Sequence, residues 1–324
     1  AFLATAGLFY VNIMPALIDS LISGLAFSAK TAGYVGSANT FGAALGALSM
    51  VFLVRHINWR LCGTVFLLAL ISIDLFSATL QEANILITVR FIHGLFGGLL
   101  VGLAFALITR TAKPERVFGV LLALQFGFGG LAVMLVPYTV EQYGHQVSFW
   151  CLAGFSLITL VLKSLLAQSP EKAPVVIETT ETAETEKPPA GTGKAVKSKS
   201  YSAALVLTLI SIVLFQATNM AIGAYLIGLG KAFGLSSQFS SSIVGLSYWV
   251  GALGAVLVSV IGLKYGRFKP LTIAFVITLI GFLLFHYSDQ KSMYIIANFG
   301  TAATWAFVIP YLFGICSELD ISGR

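Results

Sequence analysis

The sequence predicts an all-α polytopic membrane protein built as two helical bundles, and three observations carry that prediction. The 324-residue chain is 57% hydrophobic and 10% charged, with a mean hydropathy of +0.92. A soluble domain is about 25% charged and about 45–50% apolar, so a core this large would lack the charged shell that keeps it in water. The apolar residues fall into ten runs, each roughly 20 residues long, the length a helix needs to cross a hydrocarbon core of about 30 Å. One polar stretch, residues 168–200, divides these runs into six and four.

The expected spans cover 2–27, 34–54, 61–80, 85–109, 117–140 and 147–166 in a first bundle of residues 1–167. Four more, 202–229, 239–263, 271–287 and 293–316, make a second bundle of residues 201–324. The stretch between them carries Glu171, Glu178, Glu181, Glu184, Glu186, Lys187 and Lys194 among Pro170, Pro174, Pro188, Pro189 and Gly191. Too little apolar surface is present there to offset the entropy of ordering it, so it reads as a flexible linker. The first run lacks a basic start and is long enough to span, so it reads as a helix and not as a cleavable signal. The chain opens on Ala1 instead of Met, and further residues are expected before it.

Lys and Arg in short loops set the orientation. One set of alternate loops holds Arg55, Arg60, Arg110, Lys113, Arg116, Lys264, Arg267, Lys269 and Arg324, together with the linker lysines. The opposite set holds Lys30, Lys231 and Lys291. The basic side, linker included, is therefore expected in the cytoplasm, and a bacterial inner (plasma) membrane is the expected location. The same scatter of positive residues into short loops argues against nucleic acid as a partner, because no basic stripe with aromatics forms. The lipid bilayer is the expected surrounding, and a monomer the expected state.

The two bundles echo each other. Leu45-Gly46-Ala47 precedes Arg55 and Arg60, and Leu253-Gly254-Ala255 precedes Lys264 and Arg267 at similar offsets. Gly94 in the fourth span and Gly300 in the tenth also stand at corresponding places. An internal duplication of this kind is how many secondary transporters are built. Six spans, a charged linker and a second similar set resemble the major facilitator superfamily. The loop from Gly46 through Arg55 and Arg60 resembles its signature loop in degraded form, with Asn58 nearest the usual acidic position. Gly262-Leu263-Lys264-Tyr265-Gly266-Arg267 is a closer copy, and Arg90, His93, Gly94, Gly97 and Gly98 resemble its arginine–glycine pattern. The resemblance implies an MFS-like fold of two six-helix pseudo-repeats, with two further helices beyond Arg324 that transport would need. It also implies gating loops around Arg55, Arg60, Lys264 and Arg267, and a central cavity lined by the first, fourth, seventh and tenth spans.

Ionisable side chains inside a span are costly and therefore functional candidates. Asp19, Arg90 and His93 lie at similar depth, roughly 9 to 14 Å from the far surface at about 1.5 Å per helical residue. Asp19 is thus expected to face Arg90 or His93 across the cavity. Such a pair serves as a protonation switch, because separating a carboxylate from its cation lets it take a proton, or as a fixed structural link. Asp74 is expected at the periphery, within reach of water. Asn12, Gln216, Asn219, Tyr225, Asn298 and Trp305 are candidates for the substrate cavity, where polar groups orient a solute within apolar walls.

Other chemistry finds no support. Histidines 56, 93, 145 and 286 and cysteines 62, 151 and 316 are scattered, with no metal-ligand spacing, and no phosphate-binding loop or cofactor motif is present. The expected function is a secondary active transporter, not an enzyme, moving a small molecule by alternating access with a proton as coupling ion. A non-transporting sensor of the same fold and a uniporter without ion coupling are the alternatives. Ser236 to Ser242 is expected to cap a helix, and Gly42, Gly46, Gly94, Gly98 and Gly102 to let helices approach closely.

Overall fold

The computed structural model describes residues 1–111, 114–167, 198–261 and 264–319. The expected linker lies outside them, apart from its last three residues, which open a helix. Among the described residues all regular structure is helical: α1 (Phe2–Asn12), α2 (Met14–Leu25), α3 (Ala29–Leu53), α4 (Trp59–Ala78), α5 (Ala83–Ile108), α6 (Pro114–Tyr143), α7 (Gln146–Ala167), α8 (Ser198–Gly223), α9 (Leu226–Ala232), α10 (Ser237–Ile261), α11 (Phe268–Leu284) and α12 (Lys291–Leu319). Nine of these are long and apolar enough to cross a membrane, and α1 with α2 forms a tenth span bent by 44°. This is a multi-pass integral membrane protein, with the large apolar side chains Phe41, Phe52, Leu207, Val213, Leu214 and Leu279 exposed on its outer surface.

Local chemistry sets the helix limits. Ser28 caps α3 by accepting from the Thr31 amide at 3.1 Å, and Asn58 caps α4 by accepting from the Arg60 amide at 3.0 Å. Ser236 accepts from Phe239 N at 3.2 Å and starts α10, as its serine-rich sequence suggests. Gly144, at φ +84°, turns the chain between α6 and α7. Two spans are interrupted. Pro15 has no amide to continue the α1 ladder, and Ile13 takes φ −98°, ψ 7°. Tyr225 takes nearly the same conformation, φ −110°, ψ 6°, between α8 and α9, without a proline. The first and seventh spans are thus both interrupted, with 12 residues in the helix beyond the first break and 7 beyond the second.

Glycines set the closest packing. A Cβ at Gly42 would collide with the Phe91 carbonyl, one at Gly46 with the Leu95 carbonyl, and one at Gly94 with the Asn39 carbonyl. The α3 and α5 backbones thus touch along a small-residue seam. In the second half, a Cβ at Gly254 would collide with the Ala303 carbonyl of α12. Gly46 and Gly254, and Leu95 and Ala303, are separated by the same number of positions, so the echo in sequence is an echo in packing. Gly300 does not repeat Gly94: it faces Ile277 on α11. The halves meet where α6 crosses α10, with Gly130 and Gly245 each against the other's carbonyl.

Candidate functional site

The breaks in the first and seventh spans open onto a cavity of about 130 Å³ between the halves. Its walls include Asn12 at the end of α1, Asn219 on α8, and Asn298 and Trp305 on α12, with the rings of Phe126 and Tyr248 between them. No charged side chain lines it among the described residues. Phe126 stands edge-on to Tyr248 at 6.4 Å and to Trp305 at 6.2 Å. Tyr248 donates its hydroxyl to the Asn12 carbonyl at 2.6 Å, and Trp305 Nε1 donates to Gln216 Oε1 at 2.6 Å. The carboxamides of Asn219 and Asn298 donate to helix carbonyls of Phe215 and Tyr294, each at 2.8 Å. Asn298 is 1% exposed, yet its Oδ1 has no hydrogen-bond partner among the described residues. The same is true of Asn12 Nδ2.

Beyond the cavity, on the side away from the linker, an ion pair joins the halves. Lys231 Nζ of α9 donates to Asp19 Oδ1 of α2 at 2.9 Å, with Asp19 nearly buried and Lys231 about one-third exposed at 34%. Tyr225 adds a hydroxyl bond to the Ala29 carbonyl at 3.0 Å, against Gly33. Close by, Ser148 of α7 donates to Ser20 of α2 at 2.8 Å. His145, between α6 and α7, is buried against Gly24 at the end of α2, and its Nε2 has no partner among the described residues. Burial pushes this imidazole below its ordinary value of 6.5.

A second charged group lies wholly inside the first half. Arg90 Nη1 of α5 donates to Asp74 Oδ1 of α4 at 2.8 Å, and both side chains are fully buried. Its other terminal nitrogen bonds Ser77 Oγ and, at 3.2 Å, the Ile73 carbonyl. The guanidinium lies 5.1 Å from the Phe149 ring and 5.8 Å from Tyr10. Asn39 of α3 sets the tautomer of His93. Its Nδ2 donates to the Arg90 carbonyl at 3.1 Å, which can only accept, and so also donates to His93 Nδ1 at 2.7 Å. The imidazole proton therefore sits on Nε2, which meets Asp74 Oδ1 at 3.2 Å.

These contacts correct two expectations. Asp19 does not face Arg90 or His93, because the bend at Ile13 turns α2 toward α9 and its lysine. Asp74 is not at the periphery: it is 0% exposed and holds both Arg90 and His93. It belongs to a buried stripe on α4 with Gly63, Leu67, Leu70 and Ser77, whose helical spacing was the available signal. Of the cavity candidates, Asn12, Asn219, Asn298 and Trp305 line the central space. Gln216 stands behind Trp305, and Tyr225 lines a separate hollow of about 320 Å³ between α3 and α8. Sequence reasoning passed over Asn39, Lys231, Phe126 and Tyr248. Arg55, Arg60 and Lys264 are exposed on the linker side, with Arg60 over the Trp59 ring at 5.4 Å and Lys264 over Tyr265 at 5.6 Å. Arg267 lies beside Gly314 of α12.

The family model for the Major Facilitator Superfamily matches residues 1–319. Solved structures share the fold. The nucleoside transporter NupG superposes with a TM-score of 0.66 at 16% identity, covering 99% of this chain and 81% of that one. A point mutant of NupG gives 0.68 at 15% identity, covering 99% and 82%. The D-xylose–proton symporter gives 0.64 at 16% identity, covering 98% and 88%. At these identities the likeness shows the fold alone. No curated protein sequence matches the chain.

Proposed function

The chain belongs to the Major Facilitator Superfamily, and from that premise we propose a secondary transporter that moves a small solute by alternating access. Its membrane is a bacterial inner membrane, and its linker side faces the cytoplasm. One observation carries the reading: a solute-sized cavity lies beside the interruptions of the first and seventh spans, and beyond it on the far side stands Asp19–Lys231, a pair that spans the halves. Three polar contacts between the halves among the described residues, Asp19–Lys231, Tyr225–Ala29 and Tyr248–Asn12, lie at or beyond the break in the first span. Rocking one half against the other breaks them together, exposes the cavity to the far side and closes the linker side. To the basic loops at Arg55, Arg60, Lys264 and Arg267 we assign gating on the linker side in that second state. The fold neighbours, a nucleoside transporter and a D-xylose–proton symporter by name, support the small-solute reading.

The drive we propose is a proton. Opening separates the Asp19 carboxylate from Lys231, and the separated carboxylate is the group that takes a proton from outside. Arg90, His93 and Asp74 have another part. All three lie in one half, so rocking leaves their bonds intact, and they hold α3, α4 and α5 as a rigid unit.

Cross-linking tests the gate. Asp19→Cys with Lys231→Cys, in protein lacking Cys62, Cys151 and Cys316, should lose downhill solute uptake into vesicles, which needs no proton gradient, on treatment with a short thiol cross-linker. A reducible linker should restore it. Undiminished uptake by fully cross-linked protein would show that this contact does not open during transport.

A further inference from the structure

We propose that the solute is an uncharged single ring that donates hydrogen bonds from N–H or O–H groups to the second half and accepts one from Asn12. The inference rests on the transporter reading and concerns what its cavity selects. Its polarity follows from an inventory of the wall. Asn219 and Asn298 each donate one amide hydrogen to the Phe215 and Tyr294 carbonyls, which fixes Nδ2 against the helix and leaves Oδ1 as an acceptor on the other side. Ser247 and Thr301 donate to the Val244 carbonyl at 2.6 Å and the Ala297 carbonyl at 2.7 Å, so their oxygens also remain able only to accept. The Trp305 and Tyr248 donors are already held by Gln216 and the Asn12 carbonyl. Among the described residues, Asn12 Nδ2 is the buried cavity nitrogen with no hydrogen-bond partner at all, and it comes from the first half.

The amide orientation is fixed at Asn298. The Tyr294 carbonyl can only accept, so the Asn298 nitrogen must face it and Oδ1 must be the atom without a partner. A buried oxygen left so is costly, and a ligand N–H or O–H satisfies it. Charge is excluded on similar grounds. An ion entering a wall without counter-charge would be desolvated and left uncompensated. The breaks offer no substitute, since the C-terminal end of α1 and the N-terminal end of α2 meet at Ile13 with opposing partial charges. Size completes the argument: an apolar cavity of about 150 Å³ accommodates benzene, and this one measures about 130 Å³. The aromatic faces of Trp305 and Tyr248 suit either a flat heterocycle or the C–H face of a pyranose.

Equilibrium binding to the native protein in nanodiscs tests this with matched probes. Uracil and D-xylose represent the two ring types. 1,3-Dimethyluracil and fully O-methylated xylose keep shape and acceptors but lose the donors. Orotate and D-glucuronate add a negative charge. At least one parent should bind about tenfold or more tightly than its methylated form and its anion, and which parent it is identifies the ring type. Asn298→Leu should remove the gap between parent and methylated ring. Asn12→Leu should weaken both forms to the same extent, because the acceptor it serves survives methylation; that second pattern keeps the test open if Asn298→Leu fails to fold. Equal binding of parent and methylated forms, preference for an anion, or binding of neither parent would overturn the proposal. The cross-linking result would still decide whether the protein transports by opening its gate.

Discussion

At the residue scale, the weight falls on two aspartates with opposite tasks. Asp74 is locked in the first half by Arg90 and His93, whereas Asp19 is held only by a partly exposed lysine of the other half. Asp74→Ala should strand the buried Arg90 charge and cost about 3–5 kcal/mol. Adding Arg90→Met should recover about half of that loss, which thermal unfolding in detergent would show. Asp19→Asn should cost on the order of 1 kcal/mol, because its pair is partly hydrated, and its effect should appear in the balance between states. His145 gives a pH dependence whose sign is fixed. Burial favours its neutral form in the fold, so its contribution is full above about 6.5 and is lost as pH falls through the lower folded value. The protection of amides around Gly144, relative to their intrinsic exchange, should fall between pH 7 and pH 5 in the native protein and stay level in His145→Gln. An equal fall in both would show that another group controls the loop. The ionisable candidates were legible in the sequence one by one, as rare charges in greasy spans. Their partners were not. Depth places Asp19 and Arg90 together, but pairing depends on rotation about each helix axis, and apolar runs facing lipid on one side and protein on the other conceal that rotation.

At the element scale, ten spans could be read from hydropathy because length alone identifies a crossing. The two breaks were hidden for the same reason: an apolar run continues smoothly through Ile13 and through Ala224–Tyr225. Pro15 marked the first, and nothing comparable marks the second. Glycine spacing was the better guide, and it predicted close helix contact without naming the partners. The seam suggests a paired experiment. Gly46→Leu drives a side chain into the α5 backbone, and Gly254→Leu does the same to α12. Each should destabilise by about 1–3 kcal/mol or more, since neither backbone can yield locally. Gly127→Ala meets nothing within 4 Å and should be neutral or stabilise by up to about 1 kcal/mol through helix propensity. A fall in melting temperature for Gly127→Ala as large as for Gly46→Leu would contradict the packing described.

At the scale of the whole molecule, the architecture converts a local contact into a global one. The first and seventh spans are both interrupted, α2 and α9 meet beyond the cavity, and one ion pair joins them across the halves. The duplicated plan could be read from the repeated glycine and basic pattern, but the closure could not, because it arises between segments more than two hundred positions apart that share no motif. The central claim is that closure on the two sides is reciprocal. Distances between spin labels measure this directly, with one pair at Lys30 and Gln238 on the far side and another at His56 and Tyr265 on the linker side, all exposed. In native protein carrying Asp19→Asn, the far-side distance should lengthen while the linker-side distance shortens. Lengthening on the far side with no change on the linker side would contradict the account.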